Sequence, residues 1–383
     1  MPYHPVRATV LTILLLAGTL LPSNVQSLSP VQLVRAAGSA SRLTAQQNAP
    51  TFSVYIDQLV KDTLTPGGPG VAVLVLQDGK KLHAKGYGYA SVRAQRRITT
   101  TTNFDLASVS KQMTAVALLK LVAAGQVDLA APVNRYLPEL KAGRRPVTLL
   151  HLLHHTSGLA DYTGDDWTAG DEEFSRLDLE AHLAWISEQP SHAKPGERFE
   201  YNNSGYALLA LVVQRVSGMP YWRFVEQEIF APLGMAQSRV YHRLGQTIPN
   251  QALGYVVDDE GAFERSEWPT AMAGDGNVYS SLADLARYDA ALRAGELLSP
   301  ELLALAFTPG TLDNGSAIEE DGDGYGFGWG IGETYVDHTG SWWGTSTYYL
   351  HYLDEAVTII VLSNDETYDA YALADAIAAE LRD

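Results

Sequence analysis

Segments with strand character occupy both ends of this chain, and a long block of helical periodicity separates them. Val71 to Leu76 and Leu82 to Tyr89 are β-rich runs joined at Asp78-Gly79, a pair suited to a tight hairpin turn. Strands return from Tyr325 onward. Gly326 to Gly332 reads as a short aromatic strand and Tyr335 to Gly340 as the next. Thr345 to Tyr352 and Val357 to Leu362 read as a hairpin turning at Asp354-Glu355. Helical spacing marks Phe52 to Leu64, stopped by Pro66-Gly67-Gly68, and Tyr368 to Leu381 near the other end. Residues 128–280 read as helices and loops, including Leu149 to His154, Leu179 to Ser187, and Tyr206 to Val216 closed by Gly218. The economical arrangement is an α+β fold. One antiparallel sheet is built from both ends, flanked by the terminal helices, with an all-helical lobe inserted. On this reading the sheet lobe takes residues 50–102 and 281–383, and the helical lobe residues 103–280.

With 383 residues, 46% hydrophobic and 19% charged, the chain can bury a sizeable core. Residues 1–27 have the form of a secretory signal peptide: Arg7, an apolar run from Ala8 to Leu21, and small residues near Val25 and Ser27. The run is short for a permanent span, so a periplasmic or secreted location without stable membrane insertion is expected. Residues 28–49 read as a flexible lead-in, leaving 50–383 as the folded domain. The absence of cysteine removes disulfides, thiolate metal sites, cysteine nucleophiles and cysteine-linked lipid anchors. A net charge of −17 opposes binding to nucleic acid or anionic membrane and first of all serves solubility. Nothing here speaks to oligomeric state.

Ser108-Val109-Ser110-Lys111 places a hydroxyl and an amine one helical turn apart, where a long apolar helix begins. A helix N-terminus favours developing negative charge, and a neutral lysine can take the proton of a neighbouring serine. Ser191-His192-Ala193-Lys194 has the same spacing, but Pro195-Gly196 follows at once and no helix starts there. Two further segments can bring polar groups to a cleft. Tyr201-Asn202-Asn203 lies in a loop ahead of a helix. His338-Thr339-Gly340 ends a strand, with Gly340 open to close approach of a substrate. Taken singly, a tyrosine ahead of a helix packs and a His-Thr-Gly at a strand end turns. His151, His154 and His155 lack a carboxylate at a diagnostic spacing, and the acidic stretch 319–323 lacks spaced calcium ligands. Gly86-Tyr87-Gly88 lacks the continuation of a dinucleotide loop, and no Gly-x-Ser-x-Gly elbow occurs. Neither a metal nor an organic cofactor is expected.

The three segments in this order, with His154-His155-Thr156-Ser157-Gly158-Leu159 and Pro195-Gly196-Glu197 through Phe199, Tyr201, Asn203 and Tyr206, closely resemble the serine β-lactamase-related superfamily. That group includes class C β-lactamases, D-alanyl-D-alanine carboxypeptidases, D-aminopeptidases and β-lactamase-like carboxylesterases, and the resemblance runs from about residue 52 to 381. It implies a β-lactamase/transpeptidase-like fold, an acyl-enzyme mechanism and a small-molecule or short-peptide substrate as partner. Ser108 would be the nucleophile, Lys111 its base and Tyr201 the proton carrier. Asn203 would orient substrate and lysine, and the main-chain N–H groups of Ser108 and Ser341 would form the oxyanion hole. His338, Thr339, Gly340 and Trp342 complete the substrate-binding set.

One departure bears on substrate. His338 stands where β-lactamases and carboxypeptidases of the group carry a lysine that helps hold a substrate carboxylate. A histidine is largely neutral at pH 7, so a neutral ester or a D-amino-acid-containing amide gains ground. A β-lactamase or D-alanyl-D-alanine carboxypeptidase is the alternative, and a non-catalytic penicillin-binding-like sensor is an alternative of another class. Trp342-Trp343, with Tyr348 and Tyr349, could wall an apolar pocket. Asn202 stands where serine or alanine is commoner in the group, without an evident reason in the sequence.

Overall fold

Val71–Gln77 (β1) alternates its side chains between two separate cores, which is why it reads as an unbroken apolar run. Val71, Val73 and Val75 enter one core, while Ala72, Leu74 and Leu76 enter the other. A strand buried on both faces is central, and β1 pairs with Lys80–Tyr87 (β2) on one side and with Val357–Ser363 (β7) on the other. The structure is a computed structural model and describes residues 49–140, 146–164, 178–258, 261–267, 270–319 and 322–382. The expected signal peptide and all of the lead-in except Ala49 lie outside the described residues.

The sheet has seven strands, completed by Gly324–Tyr325 (β3), Gly330–Ile331 (β4), Tyr335–Trp342 (β5) and Thr345–Tyr352 (β6), in the order β3-β4-β5-β6-β7-β1-β2. Every neighbouring pair is antiparallel. The Val71↔Ser363 to Gln77↔Val357 register joins the two ends of the chain at the middle of the sheet. The expected hairpin turns at Asp78 and Gly79, both with positive φ (50° and 72°), as a primed two-residue turn requires. The Thr345–Tyr352 and Val357–Ser363 hairpin also forms.

The terminal helices Ala49–Thr63 (α1) and Ala370–Arg382 (α7) cover one sheet face, with Phe52, Ile56, Val60, Leu373 and Ile377 buried against it. The other face meets the helical part. Lys111–Ala123 (α2) and Asn203–Ser217 (α5) run through its centre, joined by Leu149–Leu153 (α3), Leu179–Ile186 (α4) and Leu282–Ala294 (α6). α2 is buried on nearly all sides, from Lys111 through Leu119, so it shows no apolar stripe. Short strand pairs also occur within 128–280: Tyr255–Val257 pairs with Phe263–Arg265, and Arg239–Val240 with Val278–Ser280.

Three local expectations change. The aromatic stretch from Gly326 to Gly332 is not one strand: β3 and β4 flank a turn in which Gly328 (φ 76°) presses on the start of α2. A Cβ on Gly328 would lie 2.8 Å from the carbonyl carbon of Lys111, so the turn closes only with glycine there. β5 runs past Gly340 to Trp342 and turns back at Trp343-Gly344, a two-residue hairpin. α5 starts at Asn203 rather than Tyr206, because Asn202 caps it: its Oδ1 accepts the Gly205 N–H at 2.7 Å. That cap accounts for an asparagine at 202.

Candidate active site

Ser108 lies in a single 3-10 turn, Ala107–Ser110, that feeds directly into α2. Residues three apart eclipse one another in such a turn, so the serine and lysine meet more closely than on the α-helix expected from spacing. Ala107 takes a positive φ of 46°, costly for a residue with a Cβ. The strain is held from several sides. Ala107 N–H donates to Asp105 Oδ1 at 2.9 Å, and Leu106 N–H donates to the Val278 carbonyl at 2.9 Å. Thr345 and Thr347 hydroxyls on β6 donate to the carbonyls of Asp105 (3.0 Å) and Leu106 (2.9 Å). The sheet therefore fixes the Ser108 turn through the main chain.

Lys111 is fully buried. Its Nζ lies 3.0 Å from Ser108 Oγ, 2.7 Å from Asn203 Oδ1 and 2.9 Å from the Asp275 main-chain oxygen. The asparagine and main-chain oxygens can only accept. A neutral amine satisfies both with its two hydrogens and keeps its lone pair for the serine hydroxyl. Asn203 is itself fixed: its Nδ2 donates to Thr163 Oγ1 at 2.9 Å and its N–H to Asp161 Oδ2 at 2.8 Å. The Tyr201 ring centre is 4.8 Å from Nζ, and the ring lies 4.3 Å from that of His155.

His155 and Asn202 explain why two motifs far apart in sequence act as one. Asn202 N–H donates to His155 Nδ1 at 3.0 Å, and Asn202 Nδ2 donates to the Leu159 carbonyl at 2.9 Å. Glu200 N–H also donates to the His155 carbonyl at 2.9 Å. Burial holds the His155 pKa well below its usual value, with the Lys111 charge acting the same way, so the ring is neutral. The other two histidines of that run bond elsewhere: His151 Nδ1 accepts the nearby Thr148 N–H at 3.1 Å, and His154 Nδ1 meets the distant Tyr325 carbonyl at 3.0 Å. Ser191 to Lys194, the second match to the serine-lysine spacing, has no helix.

On β5 the side chains alternate. Val336, His338 and Gly340 are buried toward the helical part, whereas Thr339 and Ser341 are exposed on the face shared with Asp337. The side chains of Thr339 and Ser341 thus lie on the face of β5 opposite His338 and Gly340. Gly340 is not open to a substrate. A Cβ there would fall 2.4 Å from the Leu106 carbonyl oxygen and 2.1 Å from Thr347 Oγ1, so the Ser108 turn and the neighbouring strand occupy the space. His338 Nδ1 donates to the Thr339 carbonyl, and Nε2 accepts the Tyr325 hydroxyl at 3.0 Å. Burial, reinforced by the Lys111 charge, lowers its pKa to about 3.

The aromatic wall is corrected as well. Tyr348 belongs to the core under the terminal helices, with its hydroxyl donating to Asp337 at 2.6 Å. Tyr349 is buried on the opposite face and donates to Asp289 at 3.0 Å. The strand alternation separates the two tyrosines, and Trp343 sits at the exposed turn, where 37% of its surface is accessible.

Several groups of this cleft escape motif reading: Asp161 and Thr163 behind Asn203, Tyr325 behind His338, and Asp275 beside Lys111. Tyr325 and Asp275 each carried a faint signal, one opening an aromatic-glycine run and the other between two glycines.

Comparison with known proteins adds to this geometry. Residues 56–382 match the family described as Beta-lactamase. Penicillin-binding protein 4* of Bacillus subtilis (strain 168) is 35% identical over 328 residues, spanning 80% of this chain and 71% of that protein. The octameric penicillin-binding protein homologue from Pyrococcus abyssi superposes with a TM-score of 0.73 at 29% identity, over 88% of this chain and 77% of that one. The penicillin binding protein from Bacillus halodurans gives a TM-score of 0.75 at 27% identity, over 85% of this chain and 99% of that one.

Proposed function

The chain belongs to the Beta-lactamase family and is a serine hydrolase; on that premise we propose that it is exported and cleaves an ester or a D-amino-acid-containing amide through an acyl-enzyme on Ser108. One observation carries the reading: the buried Lys111 amine lies 3.0 Å from Ser108 Oγ while two obligate acceptors take its hydrogens. In the first step Lys111 accepts the hydroxyl proton as Oγ bonds to the substrate carbonyl carbon. The carbonyl π pair moves onto oxygen, which the main-chain N–H groups of Ser108 and Ser341 receive. Collapse expels the leaving group, protonated by way of Tyr201, and a water then repeats the sequence on the ester of Ser108. Asn203 holds the amine in line throughout. Among the described residues no helix is long and apolar enough to cross a membrane. Export rests on the signal-like residues 1–27.

The neutral His338 supports a substrate without a carboxylate at that point. The penicillin-binding relatives favour a second reading, a β-lactamase or D-alanyl-D-alanine carboxypeptidase. The two separate in a panel of p-nitrophenyl butyrate, a D-amino-acid amide, nitrocefin and a D-Ala-D-Ala peptide, each run with wild type and Ser108→Ala. Turnover of the first two that vanishes in Ser108→Ala supports the main reading. Preference for nitrocefin or the peptide supports the second. Stable labelling by a fluorescent penicillin with no turnover of any substrate would instead mark a binding protein.

A further inference from the structure

The loop that carries Asp275 is pressed into the helical part beside Lys111. Gly274 has a φ of 113°, and a Cβ there would fall 2.6 Å from both Ala210 Cβ and the Tyr206 carbonyl oxygen on α5. Thr114 on α2 donates to the Gly274 carbonyl at 2.5 Å. The next residue meets the catalytic amine in two ways. Its main-chain oxygen accepts Lys111 Nζ at 2.9 Å, and its carboxylate is buried close enough to feel the Lys111 charge. Oδ2 accepts the Tyr162 hydroxyl at 2.6 Å; Oδ1 is buried with no hydrogen-bond partner among the described residues. Burial raises this carboxyl to about 6, and Lys111 pulls in the opposite direction. The other groups around it are Tyr162 and Asp161 on the loop after α3, Asp105 ahead of the nucleophile turn, and Tyr221 beyond α5.

Resting on the roles of Ser108 and Lys111 given above, we propose that Asp275 is the positioning residue that governs the proton on Lys111. Its carbonyl aims the amine at Ser108. Its carboxylate is the counter-charge for the ammonium formed when Lys111 takes the serine proton. The proton travels from Oγ to Nζ and on to the leaving group; Asp275 exchanges none in the step. The role parallels that of the buried acid behind the base of a serine-histidine-aspartate triad, which stabilises the cation without taking up a proton. The competent form is the pair with both protons gone, amine and carboxylate, and its titration belongs to the two groups together.

Two substitutions move that titration in opposite directions. Asp275→Asn removes the anion, so Lys111 gives up its proton more easily. The rising limb of kcat/KM against pH shifts toward acid by about one pH unit or more, while the plateau falls about tenfold or more. Tyr162→Phe removes a donor to the carboxylate, which then holds its proton more tightly, and the same limb shifts toward alkali. Both profiles are measured with p-nitrophenyl butyrate on the full chain, with Ser108→Ala alongside. Opposite shifts support the proposal. Limbs that stay in place, or that move in the same direction, overturn it even where rates fall. Should Asp275→Asn fail to fold, the alkaline shift in Tyr162→Phe decides alone. Turnover that survives in Ser108→Ala would instead defeat the serine mechanism, a separate failure.

Discussion

Asn203 and Lys111 meet across the cleft at 2.7 Å, and the asparagine is itself fixed by Thr163 and Asp161. The lysine is thus aimed from outside its own helix. Asn203→Ala removes the 2.7 Å bond to the buried Lys111 amine and the bond to Thr163. Stability should fall by about 1–3 kcal/mol, and kcat/KM by about a hundredfold, as for a misplaced catalytic group. Steady-state kinetics paired with urea melts check this. An unchanged kcat/KM in a folded variant would remove Asn203 from the aiming of the base.

Gly340 and Leu106 define a second relationship, a strand laid against the nucleophile turn with no room for a methyl group. Gly340→Ala should push Leu106 and Ala107 aside. The overpacking should destabilise by about 1–3 kcal/mol, and kcat should fall much further than that loss implies, because Ser108 moves with the turn. A variant with normal kcat would show that the turn is set elsewhere.

Much of the fold was legible because its signals are local. Val71 to Leu76 reads as a strand and Asp78-Gly79 as its turn, although its burial on both faces is seen only in the fold. Strands at both ends pointed to one shared sheet, while the pairing of β1 with β7 at its middle is a finding of the structure. Less was legible where one element leans on another. The positive φ of Ala107 has no signature in sequence, since the Asp105 brace acts together with Val278, Thr345 and Thr347 from distant elements. Gly328 and Gly340 look like flexible points in sequence, yet each is glycine because backbone from another element fills the space. Asp275 had no motif, and its meaning comes from Lys111, 164 residues away.

His182 supplies a pH test far simpler than the catalytic one. It is fully buried, its Nε2 lies 3.0 Å from Ser204 Oγ, and burial lowers its pKa to about 3. At this residue the unfolded chain therefore holds a proton that the folded chain lacks between about pH 3 and 6.5. This residue costs stability as pH falls through that window, by about 1.4 kcal/mol per pH unit, and nothing further above it. His182→Gln lacks the term. The stability of the variant relative to wild type should rise steadily below pH 6.5 in urea melts and stay level above it. A level difference across the whole range would contradict a neutral buried ring.

His338→Lys tests the substrate argument. A lysine at 338 restores a cation to the cleft, so kcat/KM for a carboxylate-bearing amide should rise relative to that for p-nitrophenyl butyrate, by about tenfold or more. The lysine also loses the Tyr325 contact and adds charge beside Lys111, so both absolute rates should fall. Equal change in both substrates would sever charge at position 338 from specificity.

The central claim is a covalent ester on Ser108, and mass spectrometry tests it directly. Wild type quenched in acid during turnover of p-nitrophenyl butyrate should carry one butyryl group on the peptide containing Ser108. Ser108→Ala should carry none and turn over nothing. An unmodified Ser108 in wild type during turnover, with hydrolysis persisting in Ser108→Ala, would contradict the account.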